Sequence, residues 1–212
     1  MESLILKFRV MNQFLLLSRL MAPIEGFLTE IEGFMLYSLA REGEGLGDIV
    51  ELGSYMGRST CYLALGSKQA GREKVTAIDT FQGSPEHQPG ADAESKVLKE
   101  EGTTLNRFRA NLQHIGLTDD VNVLCATSEE AVKNWDRPIR FLFIDADHSY
   151  EACLKDYSLW APHVAECGLI AFHDYGQAEG VTRLCDELRQ HADDLKEFGL
   201  SASLFVFQKR SK

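Results

Sequence analysis

The side chains best equipped for chemistry in this chain stand directly after short apolar runs. Glu51 and Gly53 follow Ile49-Val50, Asp79 and Thr80 follow Val75–Ile78, and Thr127-Ser128 follow Val121–Cys125. Asp145 ends Phe141–Ile144, and His173-Asp174 end Leu169–Phe172. The richest of these clusters is Glu51-Leu-Gly-Ser-Tyr-Met-Gly-Arg-Ser59, which reads as an acidic residue, a glycine turn and the start of a helix. Free N–H groups at a helix start attract the anionic part of a ligand. The Glu51 carboxylate beside them suits a cationic or hydroxyl part and repels a pyrophosphate. An adenosyl cofactor with an amino-acid tail carries both parts. Asp79 fits the same ligand, because an acid ending the next strand can accept both hydroxyls of a ribose; a turn-forming role is the alternative. The glycine spacing departs from Gly-x-Gly-x-x-Gly, which counts against a nicotinamide or flavin cofactor.

These residues need elements to position them. Strand-like runs cover Asp48–Leu52, Val75–Asp79, Val121–Cys125, Phe141–Asp145, Leu169–His173 and Leu204–Gln208. Helical spacing of apolar residues fills Arg58–Ala70, Thr103–Gly116, Ser128–Trp135, Tyr150–Val164 and Val181–Asp193. Gly71 and Gly116 stop two of these helices, and Gly168 lies in the turn after a third. Alternation of this kind predicts a Rossmann-like, doubly wound and mostly parallel sheet of about seven strands with helices on both faces. The aromatic-rich Phe198–Gln208 region adds an antiparallel edge. Ligands of such sheets bind beyond the carboxyl ends of the strands, so all the clusters above reach one rim. The long segment Gln82–Glu101 follows the second strand and reads as a substrate-side lid over that rim.

Composition narrows the class further. The formal net charge is −10, with 22 basic against 32 acidic residues. That balance argues against nucleic acid and anionic membrane as general partners, since both need a positive footprint. The five cysteines Cys61, Cys125, Cys153, Cys167 and Cys185 form no Cys-x-x-Cys pair and read as buried thiols of a reducing, cytoplasmic compartment. Met1–Met21 is apolar but interrupted by Lys7, Arg9, Asn12 and Arg19, too broken for a membrane span. It predicts a helix that packs on the domain or on a second subunit, giving a homodimer; attachment to a membrane surface is the other reading.

Taken together, Glu51–Ser59, Ile78-Asp-Thr-Phe81, Ala126-Thr-Ser128, Phe143-Ile-Asp-Ala-Asp-His-Ser-Tyr150 and Gly168-Leu-Ile-Ala-Phe-His-Asp174 resemble class I S-adenosylmethionine-dependent methyltransferases. The branch they look like is that of small O-methyltransferases similar to catechol and caffeoyl-CoA enzymes, including bacterial natural-product and sugar enzymes. The resemblance covers roughly residues 25–208, so a methyl-transfer domain is expected over residues 25–212, preceded by a helical appendage over residues 1–24. It implies that Glu51 and Gly53, with Ser54, Tyr55 and Gly57 of the turn, meet the methionine part of the cofactor. Ser59 would bind its carboxylate, Asp79 with Thr80 its ribose, and Ser128 with Glu129 its adenine. Asp145 would sit near the sulfonium.

In the catechol-type enzymes the acid matching Asp145 and two residues after the fifth strand hold a divalent metal. Those two positions are His173 and Asp174 here, where the family pattern has Asp-Asn. An imidazole fits magnesium poorly and manganese, iron or zinc better, so a site of Asp145, His173 and Asp174 stands beside a metal-free alternative. His148 occupies the place of a lysine general base. An ordinary imidazole can take a hydroxyl proton at neutral pH, and His148 could equally cap the helix that begins near Tyr150. The expectation is O-methylation of a small-molecule hydroxyl. A nicotinamide-dependent oxidoreductase and a non-catalytic nucleoside-binding protein are the rivals.

Overall fold

A computed structural model describes residues 2–88, 90–91 and 94–211. Pro89, Asp92 and Ala93 of the expected lid lie outside the described residues. The chain opens with helices α1 (Glu2–Met21) and α2 (Glu30–Glu42) and continues through β1 (Asp48–Leu52), α3 (Arg58–Gln69) and β2 (Val75–Asp79). Short α4 (Lys96–Glu101) and then α5 (Leu105–Ile115) precede β3 (Val121–Cys125), α6 (Ser128–Val132) and β4 (Ile139–Ile144). The rest comprises α7 (Tyr150–Trp160), β5 (Val164–Phe172), α8 (Glu179–His191), β6 (Leu195–Ser201) and β7 (Leu204–Lys209).

The seven strands form one Rossmann-like sheet in the order β3-β2-β1-β4-β5-β7-β6, parallel except for β7, which runs antiparallel to both neighbours. Both faces are covered. Phe141, Phe143, Ala171 and Val206 pack towards α2, α3 and α5, while Leu142, Ile144, Phe172 and Phe207 pack towards α7 and α8. Burial on both sides explains why β4 reads as a continuous apolar run instead of an alternating one.

Strand order reverses between β1 and β4, and there the chains approach very closely. Gly53 has φ +83°, and a Cβ on it would lie 2.0 Å from the Asp145 carbonyl oxygen. Only glycine fits this crossing. Elsewhere the elements differ from expectation at their ends. Helix α7 stops at Trp160, not Val164, because Pro162 follows in a 3-10 turn. Helix α6 ends at Val132, three residues short of Trp135, and β5 starts earlier, at Val164. Of the five free thiols, Cys61, Cys153 and Cys185 are buried, whereas Cys125 is exposed and Cys167 half-buried. The expectation of burial is corrected at those two: Cys125 ends the outer strand β3, and Cys167 sits in an irregular stretch of β5 at φ +61°.

Candidate active site

The turn after β1 is built from behind by a buried acid. Glu51 is 0% exposed and accepts hydrogen bonds from Ser54 Oγ at 2.7 Å and from Thr60 Oγ1. Its Oε1 has no partner among the described residues. Burial pushes its carboxyl up to about 7, against the pull of the Ser59, Thr60 and Ser54 hydroxyls. Glu51 therefore shapes the turn and is not itself laid open to a ligand. Gly57, at φ +85°, caps α3, and Ser59 sits in its first turn.

Asp79 ties this turn to the next strand end. Its Oδ2 accepts the Ser54 and Tyr55 N–H groups at 2.7 and 2.8 Å, and its Oδ1 accepts that of Phe81 at 2.6 Å. Tyr55 is held at φ +46°, a left-handed conformation that a bulky residue adopts only under constraint. The Tyr55 hydroxyl reaches Ser95 Oγ at 2.9 Å. His87 of the lid segment stacks on Phe27 with ring centroids 5.1 Å apart and lies 5.5 Å from Tyr55. The segment after β2 is thus docked over the rim.

Two clefts meet beside Gly53, Tyr55 and Asp145. The first, about 450 Å³, is lined by Asp79, Thr80, Ser128 and Glu129, and also by Lys155 and Asp156. The last two were missed from the sequence. They sit with Ala152 at i, i+3, i+4 on one face of α7, a spacing that could have drawn attention to them. Lys155 pairs with Glu129. Ser128 Oγ accepts the Trp160 indole N–H at 2.9 Å, and burial raises the Asp156 carboxyl.

The second cleft, about 400 Å³, holds Ser59, Asp145, His148, His173 and Asp174. His148 Nε2 lies 3.1 Å from Asp174 Oδ2 and 3.8 Å from Asp145 Oδ1. His173 Nδ1 lies 3.1 Å from Asp174 Oδ2 and 3.3 Å from Asp145 Oδ1, while its Nε2 faces Glu32 Oε2 at 3.4 Å without an aligned hydrogen bond. Asp174 is held at φ +63°. Glu32 is the third residue missed. Its sequence signal, Thr29-x-x-Glu32, is that of a capping box, and the helix cap is indeed formed. Its Oε1 also accepts Ser203 N and Oγ, at 2.8 and 2.7 Å.

The electrostatics set the protonation preferences of this cluster. Hydrogen bonding to Asp145 and then Asp174 raises the His148 imidazole to about 10. Two bare carboxylates beside the ring favour its protonated form. His148 is not a helix cap, since Ser149 takes that position and the Asp147 carboxylate accepts the Ser149 N–H at 2.8 Å. Burial would lower His173, but Asp145, Asp174 and Glu32 outweigh it and push the ring up to about 12. For Asp174 and Asp145 the two imidazoles overcome a burial that acts the other way, and both carboxyls titrate below their ordinary range.

The donor atoms that converge within 4.8 Å among the described residues are those of Asp145, His148 and Asp174. The expected set had His173 in place of His148. His173 Nδ1 stands against the same two carboxylates, at 3.3 and 3.1 Å, while its Nε2 is turned to Glu32. Two carboxylate oxygens and one imidazole nitrogen fit manganese, iron or zinc better than magnesium.

A family model described as a methyltransferase domain matches residues 50–175, more than half of the chain. The chain belongs to that methyltransferase family. Several solved structures share its fold. The O-methyltransferase NovP is 20% identical with a TM-score of 0.62, over 78% of this chain and 73% of its own. An O-methyltransferase from Bacillus cereus, solved in complex with SAH, is 16% identical at 0.62, over 96% and 91%. TomG from Streptomyces achromogenes, an O-methyltransferase of tomaymycin synthesis in complex with SAM, is 13% identical at 0.64, over 96% and 90%. At such identities the likeness speaks for the fold. Membership of the methyltransferase family sets the oxidoreductase reading aside.

Proposed function

We propose that this methyltransferase takes its methyl group from S-adenosylmethionine and delivers it to a hydroxyl oxygen of a small molecule. The observation that carries the reading is the junction of two clefts at Asp145, one lined by Asp79 and polar groups suited to a nucleoside, the other by paired carboxylates and imidazoles. Asp79, its oxygens fixed by three backbone N–H groups, offers its remaining lone pairs to ribose hydroxyls. Ser128, Glu129, Lys155 and Asp156 surround the adenine, and the N–H groups at the start of α3 with Ser59 take the amino-acid carboxylate. Residues 25–212 do this work, with residues 1–24 as an appendage.

The reaction is an in-line displacement. An acceptor oxygen attacks the methyl carbon, the carbon–sulfur bond breaks, and the hydroxyl proton has to be taken up. Asp145 faces both clefts and balances the sulfonium charge. The high pKa of His148 rests on the two carboxylates that face it. A sulfonium that engages those carboxylates removes that support and returns the ring towards a proton acceptor. Asp145, His148 and Asp174 would alternatively hold a divalent metal; His148 would then be a ligand in place of a base, and the metal would lower the pKa of the acceptor hydroxyl.

Calorimetric titration with S-adenosylhomocysteine tests the cofactor half. Micromolar binding that weakens at least tenfold in Asp79→Ala is expected, and a flat wild-type titration would sink the proposal. Binding without methyl transfer to any hydroxyl-bearing acceptor would leave a nucleoside-binding protein. The acidic balance and free thiols support a cytoplasmic setting, and the apolar α1 supports a homodimer.

A further inference from the structure

Helix α1 packs on its own chain through its C-terminal half only. Leu17 and Met21 are buried, Phe14 meets Phe34 edge-on at 5.6 Å, and Gln13 bonds the Tyr37 hydroxyl. From Ile5 to Asn12 every residue is exposed, and five of them, Ile5, Leu6, Phe8, Val10 and Met11, are large and apolar. At 3.6 residues per turn these point to all sides of the helix. A stretch of this length is marginal as a lone helix in water, and a helix that is apolar all round belongs inside something. Further along, Leu15, Leu16 and Leu20 extend an outward stripe, with Leu16 still 66% exposed.

Three observations point to a second copy as the cover. Eight large apolar side chains of α1 are 40–66% exposed, a concentration of uncovered apolar surface on one element that suits the core of an interface between chains. The outward positions Ile5, Phe8, Asn12 and Leu15 repeat at three- and four-residue steps, the spacing of a two-helix seam with one polar residue at its middle. In a chain of net charge −10, α1 carries Lys7, Arg9 and Arg19 against Glu2, so two acidic bodies meet there with least repulsion. A lipid surface fits worse. Helices that lie on membranes segregate their charges to one side, whereas Arg9 and Arg19 interleave with the outward apolar stripe.

We propose that α1 is the self-association seam of this methyltransferase, two copies pairing α1 against α1 antiparallel about a two-fold axis near Asn12. Asn12 lies close to the middle of the helix, so an isologous antiparallel pair brings the two Asn12 side chains together. The seam connects to the acceptor cleft, because Arg58, which lines that cleft, donates to the Met21 and Ile24 carbonyls at 3.1 and 2.7 Å. The proposal rests on the homodimer reading above and adds where the two copies meet.

Light scattering and sedimentation equilibrium on the full chain test it. Wild type is expected at twice its 23.8 kDa mass in the micromolar range. The double variant Phe8→Glu, Leu15→Glu is expected to be monomeric and to bind S-adenosylhomocysteine within twofold of wild type. Asn12→Leu, which adds apolar surface and disrupts nothing in the fold, is expected to tighten the dimer. A monomeric wild type overturns both the homodimer and the seam. A dimer that survives the double variant, or one weakened by Asn12→Leu, overturns the seam alone. Monomeric wild type that co-sediments with phosphatidylserine vesicles, and loses this in the double variant, would award the helix to a lipid surface.

Discussion

Replacing Glu51 by glutamine removes a titration buried at the end of β1, and its effect on stability has a defined sign and size. The carboxyl of Glu51 is raised from 4.5 to about 7 by burial. A raised carboxyl favours the folded state fully below its unfolded pKa, and the advantage is lost as pH climbs towards the folded one. At about 1.36 kcal/mol per pKa unit, some 3 kcal/mol disappears between pH 4.5 and 7, and the loss is then level up to pH 8. Because the side chain is 0% exposed, solvent screening does not reduce this figure much. Glutamine keeps the shape, cannot ionise, and still accepts from the Ser54 or Thr60 hydroxyl. Urea unfolding of both proteins without cofactor, at pH 5, 6, 7 and 8, measures the difference directly. The variant is expected to gain on wild type by about 2–3 kcal/mol between pH 5 and 8, roughly 1 M in urea midpoint. Other titrating groups cancel in that difference. A difference that stays flat across the series would show Glu51 ionised throughout, and the reasoning on its burial would fall.

Asp174→Asn takes one of two carboxylates from His148, so its ring, raised to about 10, should titrate at least one unit lower by nitrogen-15 NMR. The stability lent by the His148 pairing is complete below pH 6.5 and lost as pH rises towards 10, so wild type should lose more stability than Asp174→Asn across that window. Glu32→Gln weakens a buried acid–imidazole contact and should cost about 3–5 kcal/mol in urea unfolding, whereas Ser203→Ala should cost about 1 kcal/mol. Phe27→Ala unstacks His87 and should speed trypsin cleavage around Lys96 and Lys99, with the cut site read by mass spectrometry.

Strands β1, β2 and β3 were legible to the residue because each is a short, largely apolar run containing β-branched residues. Helix α7 ended early because the helical period runs on through Pro162, whereas the backbone cannot. The residues after the strand ends were legible for a topological reason: a parallel sheet delivers all of them to one rim. Glu32, Phe27 and the docking of His87 were not, since each depends on a contact between segments far apart in the chain. The state of His148 was hidden for a similar reason. Its residue type says neutral at pH 7, and only the convergence of Asp145 and Asp174 upon it says otherwise.

Glu32 joins three parts of the chain through one carboxylate: Thr29 at the start of α2, Ser203 in the β6–β7 turn, and His173 at the end of β5. A hairpin at the far edge of the sheet would ordinarily be the safe place to attach a tag, trim a terminus or graft a loop. Here the tip of that hairpin is moored to the same carboxylate as the buried His173 ring. Engineering at residues 201–204 is therefore engineering of the candidate active site, and a fusion that drags on this turn will be felt at Asp145 and Asp174.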